Sequence, residues 1–404
     1  MVTSSRRCRA FRLICRYQSS SDTSCTSPKG FYQLVKLAAI LLNRPSRVAW
    51  AESACAKRSK NPWRQSMTHS FNRRRFLRGA GALGLSVAAG GFAVPYRARA
   101  AASQIRIVSN PGLENATLNA LMDELGYFKT FDVDARIVEM PGTTGPFDAI
   151  ASREADVCMV SGYNMVLARI AQGARVKIVG AGMKKCALAV FARSNGIATL
   201  DDLKGKTVAV GPRQGLLHTL MLQLMKEKSI DATRINFIDK GSNDQCYESV
   251  VKGEADACCS SISHLNDEHG LVVVSEGDMW RSLPHCVFQT AYASDSAISE
   301  KHEGMVAVMA AYGALYAYLM SPASHDAFFE ARKRAQKKFD TASARAIWDF
   351  NQTQRPYSRD LSLTRADIGY QQDMFIGLGS LKRKQPFAEV ADMSAANIAA
   401  KLIA

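Results

Sequence analysis

The side chains best suited to holding a small polar solute follow predicted strands or precede predicted helices. Asn110 comes directly after the apolar run Ile105–Ser109, and Thr143 and Thr144 stand before Pro146, a residue favoured at the first position of a helix. The first N–H groups of a helix lack intrahelical partners and attract anions, and Thr hydroxyls add further donors. We therefore predict ligand contacts from Asn110, Thr143 and Thr144, against the ordinary alternative of a turn and a helix cap.

Ser161 and Tyr163 occupy a similar position, because they follow the short apolar run Val157–Val160. A hydroxyl and an aromatic ring placed together can hydrogen-bond a ligand and stack on a planar one. We predict that both residues contact a ligand. The alternative for Tyr163 is a half-buried cap of the following helix.

The second half of the chain contributes a charged group. Arg213 and Gln214 stand just before the predicted helix Leu216–Lys228, and His218 lies in its first turn. The planar guanidinium fork suits a carboxylate or a sulfonate, and the start of a helix favours the same negative charge. We predict contacts from all three residues, against a solvated arginine and a capping or packed histidine.

Asp239 and Ser260 end two further predicted strands of this half. We predict that they complete the site, although strand-end polar residues often only cap turns. No catalytic residue, metal site or cofactor is predicted. The sequence has no H-E-x-x-H or phosphate-loop motif, and Cys258 and Cys259 are neighbours on a strand, so they point to opposite faces.

These residues need a framework of strands and helices. From residue 104 to about 300, short apolar runs alternate with helical stretches, which predicts an α/β fold of mostly parallel sheets flanked by helices; helices alone follow. The predicted strands are Ile105–Ser109, Val133–Glu139, Val157–Val160, Val176–Ala181, Ala187–Ala192, Thr207–Gly211, Ile235–Ile238, Ala257–Ser260, Leu271–Ser275 and Val287–Ala293.

A weak internal repeat indicates two lobes of like construction. Glu154–Ser161 reads Glu-Ala-Asp-Val-Cys-Met-Val-Ser, and Glu254–Ser261 reads Glu-Ala-Asp-Ala-Cys-Cys-Ser-Ser. Each copy ends a helix, enters a buried strand and leaves it at a serine. In open α/β sheets ligands bind beyond the carboxyl ends of strands, so the two copies predict strand ends aimed at a common crevice.

We predict that the chain crosses between the lobes twice, near Phe191–Ser194 and near Cys286–Ala291. The first lobe then comprises residues 103–190 and 291–404, and the second comprises residues 193–286. Two crossings make a hinge, and a few residues in such a hinge absorb the rotation when domains close around a ligand.

The first hundred residues are predicted to direct export. Arg73 and Arg74 precede an apolar run, Gly79–Val94, and the small-residue site Ala98-Arg99-Ala100, the order of a secretory signal. The arginine pair resembles the twin-arginine signal, whose route carries folded proteins. We predict a signal peptide over residues 67–100, with residues 1–66 an extension before the true start at Met67.

Charge and cysteine content exclude other classes. The formal charge of +16 is confined to residues 1–100, which hold 19 Lys and Arg against 2 Asp and Glu; residues 101–404 hold 33 and 34. Binding to nucleic acid is therefore unsupported. The six cysteines of this portion lack metal or disulfide spacing and are interpreted as buried thiols. The basic cluster on a late helix is interpreted as a solvated face and comprises Arg332, Lys333, Arg334, Lys337 and Lys338.

A family resemblance is carried by Leu200–Val210, the two Glu-Ala-Asp segments and Phe375–Lys382. They resemble the periplasmic substrate-binding proteins of nitrate/sulfonate/taurine-type ABC importers, a group that includes binders of thiamine pyrimidine precursors. The resemblance covers nearly all of residues 103–404 and implies the two-lobed periplasmic-binding-protein fold of type II. The chain departs from many relatives at Pro212-Arg213-Gln214-Gly215, where they have a small polar residue.

The resemblance implies a periplasmic, monomeric solute-binding component of an ABC importer that delivers its ligand to a membrane permease. The implied ligand is a small anion, such as a sulfonate, a carboxylate or nitrate, or a planar heterocycle, held between the lobes. No enzyme activity is expected. Two alternatives stay open: an enzyme on the same fold acting on a pyrimidine precursor, with His218 as its reactive group, and a sensory module that signals through a partner.

Overall fold

The computed structural model describes residues 104–140, 144–194 and 196–404, with the side chain of Asn164 left out. The predicted extension over 1–66, the predicted signal over 67–100 and Thr143 lie outside the described residues. The described residues belong to one compact unit.

Strands and helices alternate up to residue 294, and helices alone follow. The strands are β1 Ile105–Ser109, β2 Ala135–Glu139, β3 Val157–Ser161, β4 Val176–Ala181, β5 Leu188–Arg193, β6 Thr207–Val210, β7 Asn236–Asp239, β8 Ala257–Ser261, β9 Leu271–Asp278 and β10 Thr290–Ser294. The α-helices are α1 Leu113–Leu125, α2 Tyr127–Thr130, α3 Gly145–Ala151, α4 Tyr163–Ala171, α5 Leu216–Glu227, α6 Asn243–Val251, α7 Met279–Ser282, α8 Asp295–Glu300, α9 His302–Leu319, α10 His325–Ala335, α11 Thr341–Gln354, α12 Arg365–Gly377, α13 Phe387–Val390 and α14 Ser394–Ile403.

The strands form two five-stranded sheets of the same design. The first has the order β2-β1-β3-β10-β4 and the second the order β7-β6-β8-β5-β9. In each sheet one strand runs antiparallel to its neighbours, β10 in the first and β5 in the second, and both come just after the chain has entered that lobe. The predicted two-lobed α/β fold is confirmed.

The internal repeat is confirmed down to its hydrogen bonds. The Asp156 N–H donates to the Arg106 carbonyl at 2.8 Å, and the Asp156 carboxylate accepts from the Arg106 N–H at 2.7 Å. Thr207 and Asp256 do the same in the second lobe, where the carboxylate accepts at 2.8 Å. The Asp of each Glu-Ala-Asp segment thus ties the start of one strand to the start of a parallel neighbour, β3 to β1 in the first lobe and β8 to β6 in the second.

Two short crossings join the lobes, residues 182–187 between β4 and β5 and residues 283–289 between α7 and β10. They are hydrogen-bonded to each other: the Met183 carbonyl accepts from the N–H groups of Phe288 and Gln289, at 3.0 and 2.9 Å. At Gly182 a Cβ atom would stand 3.0 Å from the Gln289 side-chain oxygen and 3.2 Å from its Cβ, so the close approach of the two segments favours glycine there.

The first crossing comes earlier than predicted. β5 begins at Leu188 and pairs with β8 from Leu188↔Ser261 to Ala192↔Ala257, so the second lobe starts at residue 188 and not at residue 193. A short, fully apolar strand looks the same in either sheet, and only its pairing partners show where it belongs. The second crossing overlaps the range predicted for it.

Helices after residue 294 cover both lobes. α9 is buried along nearly its whole length, and α14 packs on it through Ala395, Ala396 and Ala399. The sequence did not predict α13 or α14.

Among the described residues no single helix is both long and apolar enough to cross a membrane. One bent pair of segments, His302–Leu319 and Pro322–Ala335, meets the length and composition criteria only when the two are taken together, and they are angled by 96°.

The aspartates that make these contacts, Asp156 and Asp256, differ in burial and therefore form a matched pair for mutation. Asp156 is 3% exposed and also accepts from the side chains of Arg106 and Lys301, whereas Asp256 is exposed. Burial acts to raise the pKa of Asp156, but the hydrogen bonds from Arg106 and Lys301 outweigh it and hold that pKa below its usual range.

We predict that Asp156→Asn lowers the free energy of unfolding at pH 7 by about 2 kcal/mol or more, because two cations lose a buried partner. Asp256→Asn should cost less than about 1 kcal/mol. Since the pKa of Asp156 is depressed in the folded state, its contribution is present above about pH 4 and is lost as the pH falls through the folded-state value. Urea unfolding measured at pH 7 and in acid checks this, and equal losses in both variants would contradict it.

Candidate interlobe binding site

The carboxyl ends of the parallel strands in both sheets lie next to the crossings. β4 leaves the first sheet at Ala181, and β5 enters the second sheet at Leu188, opposite Ser261 at the end of β8. A fully extended segment from Ala181 to Leu188 spans at most about 25 Å. Because Thr290 of β10 likewise starts opposite Ser161 at the end of β3, the two sets of strand ends adjoin one hinge.

In the first lobe, Asn110 lies at the strand-end edge in a defined position. Its side-chain N–H donates to the Val160 carbonyl at 3.0 Å, and its own carbonyl accepts from the Asn115 side chain at 3.0 Å. These bonds tie the loop after β1 to the end of β3. Ser161 is half-buried beside it at the end of β3, and Thr144 is exposed immediately before α3.

Tyr163 is buried, at 2% exposure, as the first residue of α4. Its ring belongs to the core of the first lobe, and its hydroxyl has no hydrogen-bond partner among the described residues. Burial raises the pKa of Tyr163, so the phenol stays protonated. In this structure neither the ring face nor the hydroxyl of Tyr163 is exposed to a ligand, so the residue packs in the core beneath the strand ends.

In the second lobe, residues 212–215 form a tight turn that exposes Arg213 and Gln214. The Gly215 N–H donates to the Pro212 carbonyl at 2.7 Å, and Gln214 has φ 66°, in the left-handed region. A non-glycine residue in that region costs of order 1 kcal/mol or more, and such strain concentrates at functional sites. No described carboxylate lies within ion-pair distance of Arg213.

His218 lies behind this turn, in the first turn of α5. Its Nδ1 accepts from the Gln214 N–H at 3.3 Å, and its ring contacts Phe237 edge-on, with 5.5 Å between centroids. Burial lowers the pKa of His218, and the positive charge of Arg213 lowers it further. The ring is therefore neutral at pH 7 and holds the turn in place.

The remaining two predicted residues have different surroundings. Asp239 is exposed at the end of β7, where its carboxylate accepts from the Gly241 N–H at 2.9 Å. Ser260 is fully buried, and its hydroxyl donates to the Asn243 carbonyl at 2.8 Å. Because this hydroxyl is committed to α6, Ser260 has nothing left to donate to a ligand. Ser261, one residue on, is half-buried at the strand end.

Sequence reasoning missed Arg332. We expected Arg332 on a solvated helix face, but its side chain is only 1% exposed. Its Nη1 donates to Glu114 in the first turn of α1 at 2.8 Å, and its Nη2 donates to Ser343 in α11 at 3.0 Å. The neighbours Lys333 and Arg334 are exposed. Within a run of five cations, the sequence carries no signal that singles out the one turned inwards.

Two surface cavities contain none of the predicted site residues. The larger, about 640 Å³, is lined by β9 and α7 and includes Trp280, and the smaller, about 500 Å³, lies beside the first crossing and includes Lys184 and Arg355. In the described part of the chain, no group of three or more His, Cys, Asp or Glu residues is placed to hold a metal ion. The six cysteines of this part are free and buried, as the sequence predicted.

Comparison with known proteins assigns the fold to a family. The family model described as NMT1/THI5 like matches residues 117–353, more than half of the chain. The chain belongs to the NMT1/THI5-like family. No curated protein matches it at the sequence level.

Solved structures similar to this NMT1/THI5-like protein share its architecture at low sequence identity. The periplasmic aliphatic sulphonate binding protein of Escherichia coli has a TM-score of 0.61 at 15% identity, over 72% of this chain and 92% of its own. The periplasmic nitrate-binding protein of Synechocystis PCC 6803 has a TM-score of 0.57 at 10% identity, over 74% and 89%. A Candida albicans protein with the generic periplasmic binding protein fold has a TM-score of 0.52 at 14% identity, over 70% and 92%.

We predict that Arg213→Gln raises the pKa of His218 without restoring it to its ordinary value, because the charge is removed and the burial remains. Titration of the ring protons by NMR checks this. Arg234→Gln is the matched control, since Arg234 lies at the opposite, amino-terminal edge of the same sheet and should leave the pKa of His218 unchanged. Identical His218 titrations in the Arg213 variant and the wild type would contradict the proposed proximity.

Proposed function

We propose that this protein is the periplasmic solute-binding component of an ABC importer, which captures a small molecule between its lobes. The observation that carries the proposal is the placement of two sets of strand ends beside one pair of hydrogen-bonded crossings. Membership of the NMT1/THI5-like family and the similarity to sulphonate- and nitrate-binding proteins support it. Export by the twin-arginine route belongs to the same proposal, on the strength of the Arg73-Arg74 signal.

The ligand contacts come from the loops at these strand ends. Asn110, Thr143, Thr144 and Ser161 serve the first lobe, and the buried Tyr163 packs beneath them. Arg213, Gln214 and Asp239 serve the second lobe, and His218 supports its turn. The donors outnumber the acceptors in this set, which favours a ligand rich in hydrogen-bond acceptors: a sulfonate, a carboxylate, nitrate or a planar heterocycle with ring nitrogens.

Capture proceeds without chemistry. A solute binds to one lobe, rotation in the two crossings brings the other lobe over it, and a membrane permease recognises the closed form. A micromolar dissociation constant corresponds to about −8.2 kcal/mol, which several hydrogen bonds and one desolvated ionic contact supply after the costs of closure.

The arrangement around His218 gives the enzyme alternative no support. A catalytic histidine needs a partner that orients it and a nucleophile or substrate proton within reach. Among the described residues, no carboxylate lies within ion-pair distance of His218, and a backbone N–H occupies its Nδ1. We therefore propose a supporting role for this ring and no catalytic one.

A thermal-shift screen of sulfonates, carboxylates, nitrate and pyrimidines on the purified protein tests the function. A captured solute raises the melting temperature by mass action, and it should be recovered chemically unchanged. Conversion of the solute into a product, or the absence of any stabilising solute in a broad screen, would contradict solute capture.

We predict that Arg213→Ala weakens binding of an anionic solute found in the screen by about tenfold or more, because one charge-assisted hydrogen bond is lost. Isothermal calorimetry measures the effect. Arg234→Ala removes the same charge at the far edge of the sheet and should change the affinity less than about twofold. Unchanged affinity in the Arg213 variant would remove this residue from the site.

A further inference from the structure

Helix α11 belongs to the first lobe but also contacts the second. Within the first lobe, the Trp348 indole donates to the Ser324 hydroxyl at 3.3 Å. The Gln352 side chain donates to the Leu319 carbonyl at 2.9 Å. On its other side, α11 packs against the short 3₁₀ turn Ile262–His264. The helix therefore joins the two lobes outside the two crossings.

The turn Ile262–His264 is fixed to the second lobe. It directly follows Ser261 at the end of β8. The His264 ring stacks on Tyr247 of α6, with 4.0 Å between ring centroids, and its Nε2 lies 3.2 Å from Oδ1 of Asp244. The turn must therefore move with the second lobe when the lobes rotate.

Two side chains of the second lobe enter the contact with α11. Ile262 is fully buried and belongs to the apolar core of the first lobe, as do Ile347 and Phe350 of α11. Trp280 of α7 meets the Phe350 ring edge-on, with 5.4 Å between centroids and 83° between the planes. Because β8 and β9 both run antiparallel to β5, Ile262 and Trp280 lie beyond the same edge of the second sheet, where the crossings attach.

The contact is favourable but reversible. Separation of the lobes at this point would return apolar surface of Ile262 to water and break the aromatic pair. The indole N–H of Trp280 acts in the opposite direction, since its Nε1 is buried and has no hydrogen-bond partner among the described residues. An unpaired buried donor costs free energy, and water satisfies it when the lobes part.

We propose that Ile262, Trp280 and α11 form an interlobe latch, which holds the two lobes together before a solute binds. Its role in capture rests on the proposed function. The latch is made of protein atoms alone, so it forms without a solute. A protein whose lobes are already held together uses less of the solute's binding energy for closure. The latch therefore raises the affinity for a solute and sets how often the lobes part to admit it.

Trp348 provides a matched control on the same helix. It is half-buried, as Trp280 is, and its ring meets His325 of the first lobe edge-on, with 5.0 Å between centroids. Trp348→Leu and Trp280→Leu each remove one indole. Only the second of these indoles contacts the opposite lobe through an aromatic pair.

Pulsed electron paramagnetic resonance on the solute-free protein measures the separation of the lobes. Spin labels are attached at Glu139→Cys and Asp239→Cys, two exposed positions at the carboxyl ends of the outer strands β2 and β7. These strands lie at the opposite side of each sheet from the crossings, where rotation changes the distance most. The six cysteines of the described part are buried, and the other four are replaced by serine: Cys8, Cys15, Cys25 and Cys55.

The latch predicts a larger population of separated lobes when the aromatic pair is lost. Trp280→Leu should raise the fraction of molecules at the longer distance by about threefold or more, the scale of one edge-on aromatic contact. Trp348→Leu should leave the distance distribution as in the wild type. Phe350→Leu removes the same aromatic pair from the first lobe, and it decides the question if Trp280→Leu fails to fold.

Unchanged distances in both Trp280→Leu and Phe350→Leu would overturn the latch, as would an equal change in Trp348→Leu. The distances are measured without a solute, so they are independent of the thermal-shift screen. A screen that finds no stabilising solute would remove solute capture and leave the latch standing. Distances that contradict the latch would leave solute capture standing.

Discussion

The hydrogen-bonded pair of crossings is the constraint on which the rest of the molecule depends. The Met183 carbonyl and the N–H groups of Phe288 and Gln289 hold the two segments side by side, and Gly182 lets them approach. Both segments are short, the first joins β4 to β5 and the second joins α7 to β10, so neither sheet can turn away from the other without breaking these bonds. Covalent reach and strand direction thus bring the two sets of strand ends to one hinge, and this is the basis of the binding space that we propose.

Each lobe is held to the same plan by one aspartate, which is buried in the first lobe and exposed in the second. The carboxylates of Asp156 and Asp256 accept from the N–H groups of Arg106 in β1 and Thr207 in β6, at equivalent positions, and this is the reason that the Glu-Ala-Asp segments look alike. The contact made by Asp156 is the stronger of the two, since Arg106 and Lys301 neutralise its buried carboxylate. Lys301 comes from the returning part of the chain, so this ion cluster also fastens the last third of the sequence to the first lobe.

The periodicity of apolar residues was sufficient to predict the fold but not to fix every boundary. All ten strands overlap the short apolar runs that predicted them, and the signature is clearest where a strand is buried on both faces, as in β5 and β10. Which strands pair depends on residues far apart in the sequence, so the first crossing was predicted several residues too late in the chain. The roles of Ser260 and Arg332 could not be predicted either, because both depend on neighbours distant in sequence. The Ser260 hydroxyl donates to the Asn243 carbonyl, and Arg332 is the one cation of five that turns inwards, where it donates to Ser343.

A crystal structure of the protein with the solute that most raises its melting temperature tests the central claim most directly. The account predicts electron density for that solute between the loops of the two lobes, in contact with Asn110 on one side and Arg213 on the other. Density in the cavity beside β9 or in the one beside the first crossing, with the strand-end loops empty, would contradict it.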